Sequence, residues 1–125
     1  MLYKNILLID DDPEDAEIFM EAADSLKKGI IVRWIGSPQQ ALQDLKEGAN
    51  LPDLIFLDYN MPRINGFEML EQFENDSRLS NIPVILISTP SQDFMEKQLE
   101  KHTFIQYISK PNSYRDLVAL LGSIL

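Results

Sequence analysis

The chain has no cysteine and only one histidine, His102, among its 125 residues. Without cysteine it has neither a disulfide framework nor a thiolate metal site. Basic side chains are also few, 11 against 20 acidic ones, which gives a formal net charge of −9. This balance argues against binding nucleic acid or an anionic membrane through bulk electrostatics. His102 follows a charged stretch, so we expect it on a solvated face and not in a phosphorelay role.

Long apolar runs are absent as well. No run is long enough to span a bilayer, and the first one stops at three aspartates, unlike a signal peptide. Hydrophobic residues still make up 45% of the chain, enough for a packed core. We therefore expect a soluble, cytoplasmic protein with one domain over residues 1–125.

Short apolar runs alternate with segments of helical periodicity. The runs predict strands at Lys4 to Ile9, Ile30 to Ile35, Asp53 to Leu57, after Pro83, and at Phe104 to Ser109. Two predicted helices have Asp12 and Ser37 as caps, with Pro13 and Pro38 in their first turns, and end at Gly29 and Gly48. The other three follow Gly66, Ser91, and Asn112 or Ser113. Five β-α pairs predict an α/β doubly wound parallel sheet with helices on both faces, a flavodoxin-like architecture.

Four of the predicted strands end in side chains that can do chemistry. They are followed or closed by Asp10-Asp11-Asp12, Asp58, Ser88-Thr89 and Lys110. In a parallel sheet these ends share one edge, and the order 2-1-3-4-5 would place the acids at its switch point. Clustered carboxylates suit a hard cation such as Mg²⁺, and a lysine with a hydroxyl beside it could hold a phosphoryl group.

These residues closely resemble the receiver domain of two-component response regulators, of the single-domain, chemotaxis-regulator-like kind. The resemblance runs from Lys4 to the C-terminus. It rests on the acidic pair after strand one, the segment from Asp58 to Pro62, the following Gly66, the hydroxyl after strand four and the Lys-Pro after strand five. Each feature alone is weak, but the ordered set is highly specific.

The resemblance implies a role for each matching residue. Asp58 would accept the phosphoryl group, while Asp10, Asp11, Asp58 and the backbone carbonyl of Asn60 would hold Mg²⁺. Ser88 and Lys110 would contact the phosphoryl oxygens, and Pro111 would follow in a cis bond. Ser88 and Tyr107 would form the conformational switch.

The same resemblance implies the partners. A histidine kinase or a histidine phosphotransfer protein would donate the phosphoryl group, and the protein would act as a phosphoacceptor, not an enzyme. Output would go to a protein partner, or to a homodimer through the helix after Ser91, the fifth strand and the last helix. Nucleic acid and membranes are not expected as partners.

Some residues depart from the family pattern. Thr89 is bulkier than the usual residue after the switch hydroxyl, Pro90 stiffens the next loop, and Thr103-Phe104 replace small residues before strand five. These changes bear on the output switch and leave the acidic site intact.

Two alternatives remain open. A degenerate receiver would act as a scaffold without phosphorylation, against which the set of Asp58, Ser88 and Lys110 argues. A small Mg²⁺ phosphatase with an Asp nucleophile is suggested by the spacing of Asp10 and Asp12, but Glu14 stands where that class has Thr or Val.

A flavodoxin-type flavin site is less favoured than either alternative, because acids occupy the place of its phosphate loop.

Overall fold

The computed structural model of the protein describes residues 3–48, 50–59, 61, 64, 66–88, 105–111 and 113–125. Of Phe67, Ser88, Ile105 and Tyr107 it describes the backbone. The predictions for Asn60, Thr89, Pro90, His102, Thr103-Phe104 and the helix after Ser91 fall outside the described residues.

The described part of the chain contains five strands and four helices. The strands are β1 (Asn5–Ile9), β2 (Ile31–Ile35), β3 (Leu54–Asp58), β4 (Val84–Ser88) and β5 (Ile105–Ser109). The described helices are α1 (Pro13–Ser25), α2 (Pro38–Glu47), α3 (Gly66–Glu74) and α4 (Tyr114–Ile124). In this part of the chain no helix is long and apolar enough to cross a membrane.

The strands form one parallel sheet in the order β2-β1-β3-β4-β5, as predicted. β1 pairs with both β2 and β3, so the chain reverses its winding direction beside β1. Ile9 is level with Leu57, and Asp58 is level with Ile87. This register brings the carboxyl ends of β1, β3 and β4 to the same edge, where parallel α/β sheets bind ligands.

Two apolar cores lie on opposite faces of the sheet because side chains alternate along each strand. Leu7, Ile55 and Leu86 pack on the α2 and α3 side with Leu45 and Phe73. On the other side, sheet residues pack against α1 and α4, and the rings of Phe19 and Phe56 meet edge to face with centroids 4.9 Å apart. Burial on both faces explains why the inner strands β1, β3 and β4 are almost uniformly apolar.

Helix starts follow the predicted capping residues. Asp12 accepts hydrogen bonds from the backbone N–H groups of Glu14 and Asp15, and Ser37 accepts one from Gln40. At the last helix, Ser113 is the cap, accepting a bond from Asp116. These side chains satisfy N–H groups that have no partner within the helix.

One predicted helix end is wrong. α1 ends at Ser25 with Leu26 as its C-cap, and not at Gly29. Lys27, at φ 53°, already leaves the helical conformation, and Gly29, at φ 71°, lies further along the same turn. Gly29 was a plausible stop because glycine adopts positive φ at low cost, but here the helix has ended before that residue. At the other helix, α2 ends before its Gly48 cap, as predicted.

Candidate functional site

Three aspartates come together at the carboxyl edge of the sheet. One carboxylate oxygen from each of Asp10, Asp11 and Asp58 lies within 4.8 Å of the others. Asp10 is 6% exposed and Asp58 is 4% exposed, and these are the buried charged residues of the described chain. Asp11 is more exposed than either. An all-oxygen donor set of this size fits a hard divalent cation.

Backbone and indole hydrogen bonds fix the position of Asp10. Its backbone N–H donates to the carbonyl of Ile35 at 3.3 Å, and its carbonyl accepts from Nε1 of Trp34 at 2.7 Å. Its side-chain Oδ1 accepts the backbone N–H of Asp12 at 2.9 Å. The edge strand β2 therefore holds the β1 end of the site in place, a function of Trp34 that sequence reasoning did not identify.

The pKa of Asp10 is shifted mainly by burial and to a lesser degree by its acidic neighbours. Burial raises the pKa of Asp10 above its usual value, and the nearby charges of Asp15 and Asp11 push it the same way. The hydrogen bond from Asp12 and the charge of Lys110 oppose this rise and only partly offset it. A cation between the carboxylates would relieve the repulsion.

Lys110 follows β5 and reaches the same edge. Its Nζ donates to Oδ2 of Asp15 at 2.6 Å, with the two side chains 32% and 35% exposed. Burial alone would lower the pKa of Lys110, but the bond to Asp15 and the charges of Asp58, Asp15 and Asp10 outweigh it and raise the pKa. Lys110 thus stays protonated within the electrostatic field of Asp58.

Asp15 is a site residue that the sequence analysis missed. It lies in the first turn of α1, where acids are common because they interact favourably with the helix dipole. Nothing local in the sequence distinguishes it from Glu14. Only the packing of α1 beside the end of β5 brings it to Lys110.

The expected cis bond at Pro111 is not found. The peptide bonds of the described residues, Lys110–Pro111 included, are all trans. The trans form is the ordinary preference of an X–Pro bond, by about 0.5–1 kcal/mol.

Ser88 and Tyr107 lie where the predicted strands placed them. Ser88 closes β4, one position beyond the partner of Asp58, and is level with Ser109, which precedes Lys110. Tyr107 is level with Leu86 in β5. The backbone thus carries Ser88 to the acidic edge. The predicted roles of these two side chains, and of the Asn60 carbonyl, lie outside what the structure describes.

Tyr59, directly after Asp58, is bonded to both β4 and the start of α3. The backbone N–H of Tyr59 donates to the carbonyl of Ile87 at 2.9 Å, and the N–H of Gly66 donates to the carbonyl of Tyr59 at 3.2 Å. A Cβ on Gly66 would lie 2.7 Å from Leu86 Cδ1 and 3.0 Å from Tyr59 Cα. A larger residue at this position would have to displace Leu86 or Tyr59, so glycine favours the close start of α3.

Comparison with known proteins assigns the family. The model of the response regulator receiver domain matches residues 6–122, most of the chain. The protein belongs to the response regulator receiver family. A curated relative is the probable methanogenesis regulatory protein FilR2 of Methanothrix harundinacea (strain 6Ac), 30% identical over 116 residues, which cover 90% of this chain and 75% of FilR2. For several other curated relatives the chain spans less than two thirds of their length, between 7% and 53%.

Solved receiver structures share the fold. The phosphorylated cyanobacterial phytochrome response regulator RcpA superposes with a TM-score of 0.84 at 28% identity, covering 98% of this chain and 91% of RcpA. The Mn²⁺-bound form of response regulator Rcp1 superposes with a TM-score of 0.78 at 28% identity, and the match covers 97% of this chain and 91% of Rcp1. Family membership supports a phosphoacceptor role in two-component signalling, a role that differs from that of a conventional enzyme.

Proposed function

We propose that the protein is a Mg²⁺-dependent receiver that takes a phosphoryl group on Asp58 from the phosphohistidine of a histidine kinase or histidine phosphotransfer protein. The observation that carries this proposal is the buried Asp58 carboxylate clustered with Asp10 and Asp11, with the positive charge of Lys110 acting on it. A buried acid in this setting can act as a nucleophile once its charge is balanced.

The transfer needs positioning and charge neutralisation more than a strong base. A carboxylate oxygen of Asp58 attacks phosphorus, the P–N bond of the phosphohistidine breaks, and its electron pair returns to the imidazole of the donor. Asp10, Asp11 and the Asn60 carbonyl would hold Mg²⁺, which, when bound, neutralises the phosphoryl oxygens. The hydrogen bond from the N–H of Asp12 to Oδ1 of Asp10 would help to hold that carboxylate in position for the cation.

Lys110 and Ser88 complete the proposed phosphoryl site. The ammonium group of Lys110 would bind a phosphoryl oxygen as a point charge, and the hydroxyl of Ser88 would donate a hydrogen bond to another. The added charge would pull both groups inward, and Tyr107 would follow, shifting a two-state equilibrium at the output surface. A protein partner or a second copy of the chain would recognise that surface.

Incubation with acetyl phosphate and Mg²⁺, followed by intact-mass measurement, tests the proposal. We expect one phosphoryl addition to the wild-type protein, none to Asp58→Ala and none when EDTA removes the metal. Asp53→Asn is the matched control, because Asp53 lies at the opposite end of β3 and should leave the addition unchanged. If the wild-type protein neither gains mass nor binds beryllofluoride, a non-phosphorylated scaffold is the better reading.

A further inference from the structure

We propose that Asp15 is a positioning residue that holds Lys110 before phosphorylation and competes with the phosphoryl group for it. Asp15 would thereby set how tightly the protein retains that group. The inference rests on the proposed function and concerns a residue outside the ordered motifs that identify the family.

The observed ion pair is the first support. Nζ of Lys110 lies 2.6 Å from Oδ2 of Asp15, a short charge-assisted hydrogen bond. Asp15 is held independently of Lys110, because its backbone N–H is bonded to Asp12 at 3.4 Å and its charge suits the first turn of α1. The backbone that carries the short Asp15 side chain is therefore held by α1, and the longer lysine side chain has the greater freedom to move.

The surroundings supply a second destination for the lysine. The charges of Asp58 and Asp10 act on Lys110 together with that of Asp15. Lys110 also lines, with Asp15 and Asp10, a cavity of about 220 Å³ between α1 and α4, so its side chain is not tightly packed. A phosphoryl group on Asp58 adds negative charge and strong acceptor oxygens on that side. The hydrogen bond to Asp15 is then the interaction that must weaken.

The expected size of the Asp15 effect follows from the solvent exposure of the Lys110 and Asp15 side chains. Both side chains are about one third exposed, and pairs of this kind are weak because water and salt screen them. Removing the competing carboxylate should therefore tighten binding of a phosphoryl analogue roughly two- to fivefold.

Beryllofluoride titration in Mg²⁺, followed by fluorescence of the single Trp34, measures that effect. Asp15→Asn should bind beryllofluoride about two- to fivefold more tightly than the wild-type protein does. Asp15→Glu, which keeps the carboxylate, should have an affinity closer to that of the wild-type protein. Glu14→Gln removes a neighbouring charge from the same helical turn and should change affinity less. Equal tightening by Glu14→Gln, or weaker binding by Asp15→Asn, would overturn the inference.

A double-mutant cycle separates competition from a general charge effect. In a Lys110→Met background, Asp15→Asn should no longer alter beryllofluoride affinity, because there is no lysine to release. A persisting effect means that Asp15 acts through its field, and the inference fails. Failure of the wild-type protein to bind beryllofluoride at all would instead refute the proposed function together with the inference.

NMR of the Lys110 ammonium group, without metal, gives a readout independent of binding. Asp15→Asn should shift the Lys110 signal, while Glu14→Gln leaves it in place. In the wild-type protein, Mg²⁺ and beryllofluoride should move that signal away from its Asp15-bound position. A signal that stays unchanged while the analogue binds would show that Asp15 never releases the lysine.

Discussion

The indole N–H of Trp34 donates a hydrogen bond to the backbone carbonyl of Asp10 at 2.7 Å. This bond runs from the edge strand β2 to the point where β1 ends at the acidic site. The neighbouring Gly36 allows it, because a Cβ there would approach the indole ring to 3.2 Å. The position of a candidate metal ligand therefore depends on a residue two strands away from Asp58.

Replacing Trp34 with Phe should destabilise the protein. The change removes the donor and leaves the part-buried Asp10 carbonyl without this partner, which costs about 1–3 kcal/mol. Urea denaturation measures it, with the exposed Arg33→Gln on the same strand as a control expected to stay within about 0.5 kcal/mol. A Phe variant as stable as the wild-type protein would show that the bond contributes nothing.

Replacing Asp10 with Asn should stabilise the metal-free protein. Folding raises the pKa of Asp10, so the folded state binds a proton more tightly than the unfolded state. Stability is then lost as pH rises from the ordinary Asp pKa through the folded value. In EDTA at pH 7 we expect the free energy of unfolding of Asp10→Asn to exceed that of the wild-type protein by on the order of 1 kcal/mol. The difference should be smaller in acid.

The control for that substitution is Asp12→Asn. Asn caps a helix about as well as Asp, so its stability should change by less than about 0.5 kcal/mol. Urea unfolding at pH 7 and in acid, both in EDTA, measures the free energy of unfolding of the two variants and the wild-type protein. An Asp10→Asn protein less stable than wild type at pH 7 would contradict a raised pKa of Asp10 in the folded state.

Two glycines should respond to alanine in opposite directions. Gly66→Ala places a Cβ 2.7 Å from Leu86 Cδ1 and should cost about 1–3 kcal/mol. Gly122→Ala puts its Cβ at an ordinary 3.5 Å from Leu26 Cδ2 within α4 and should gain about 0.5–1 kcal/mol. Thermal unfolding of both variants tests the pair, and an unchanged stability of Gly66→Ala would show that Leu86 and Tyr59 make room for the Cβ at no cost.

Asp53 should give an acid-dependent contribution to stability. Its carboxylate accepts the backbone N–H groups of Asn5 and Lys4 at 2.9 and 3.0 Å, and these bonds lower the pKa of Asp53. That stabilisation is present above the ordinary Asp pKa and is lost as pH falls through the lowered value. Asp53→Asn should thus be less stable than wild type at neutral pH, with the gap closing in acid.

Asp24→Asn is the comparison for Asp53. Asp24 lies at the exposed end of α1, where a negative charge is unfavourable to the helix dipole. Its replacement should not destabilise at neutral pH. A gap between wild type and Asp53→Asn that is the same at all pH values would mean that the carboxylate charge plays no part.

Sequence periodicity predicted the alternating strands and helices, and the placement of acids at the strand ends indicated the strand order. Uniformly apolar strands ending in acids predicted both the parallel sheet and the edge where Asp10, Asp11 and Asp58 meet, because buried parallel strands leave few other arrangements. Capping chemistry at Asp12 and Ser37 predicted helix starts to the residue. The predicted end of α1 at Gly29 was wrong, because a glycine permits a turn but does not determine the residue at which the helix ends.

The side-chain contacts around the site could not be read in the same way. The pairing of Lys110 with Asp15 joins residues 95 positions apart, and the bond from Trp34 to Asp10 depends on how β2 pairs with β1. Both contacts arise from packing between elements, and local sequence propensities carry no information about such packing. The predicted cis bond at Pro111 came from family resemblance alone, and the backbone of this chain is trans there.

The central claim is that Asp58 is the phosphorylated residue. Borohydride reduces an acyl phosphate to an alcohol, so treating the phosphorylated protein and sequencing its peptides by mass spectrometry locates the group directly. We expect homoserine at position 58 and nowhere else. Homoserine at position 10 instead would contradict the account and favour the Asp-nucleophile phosphatase.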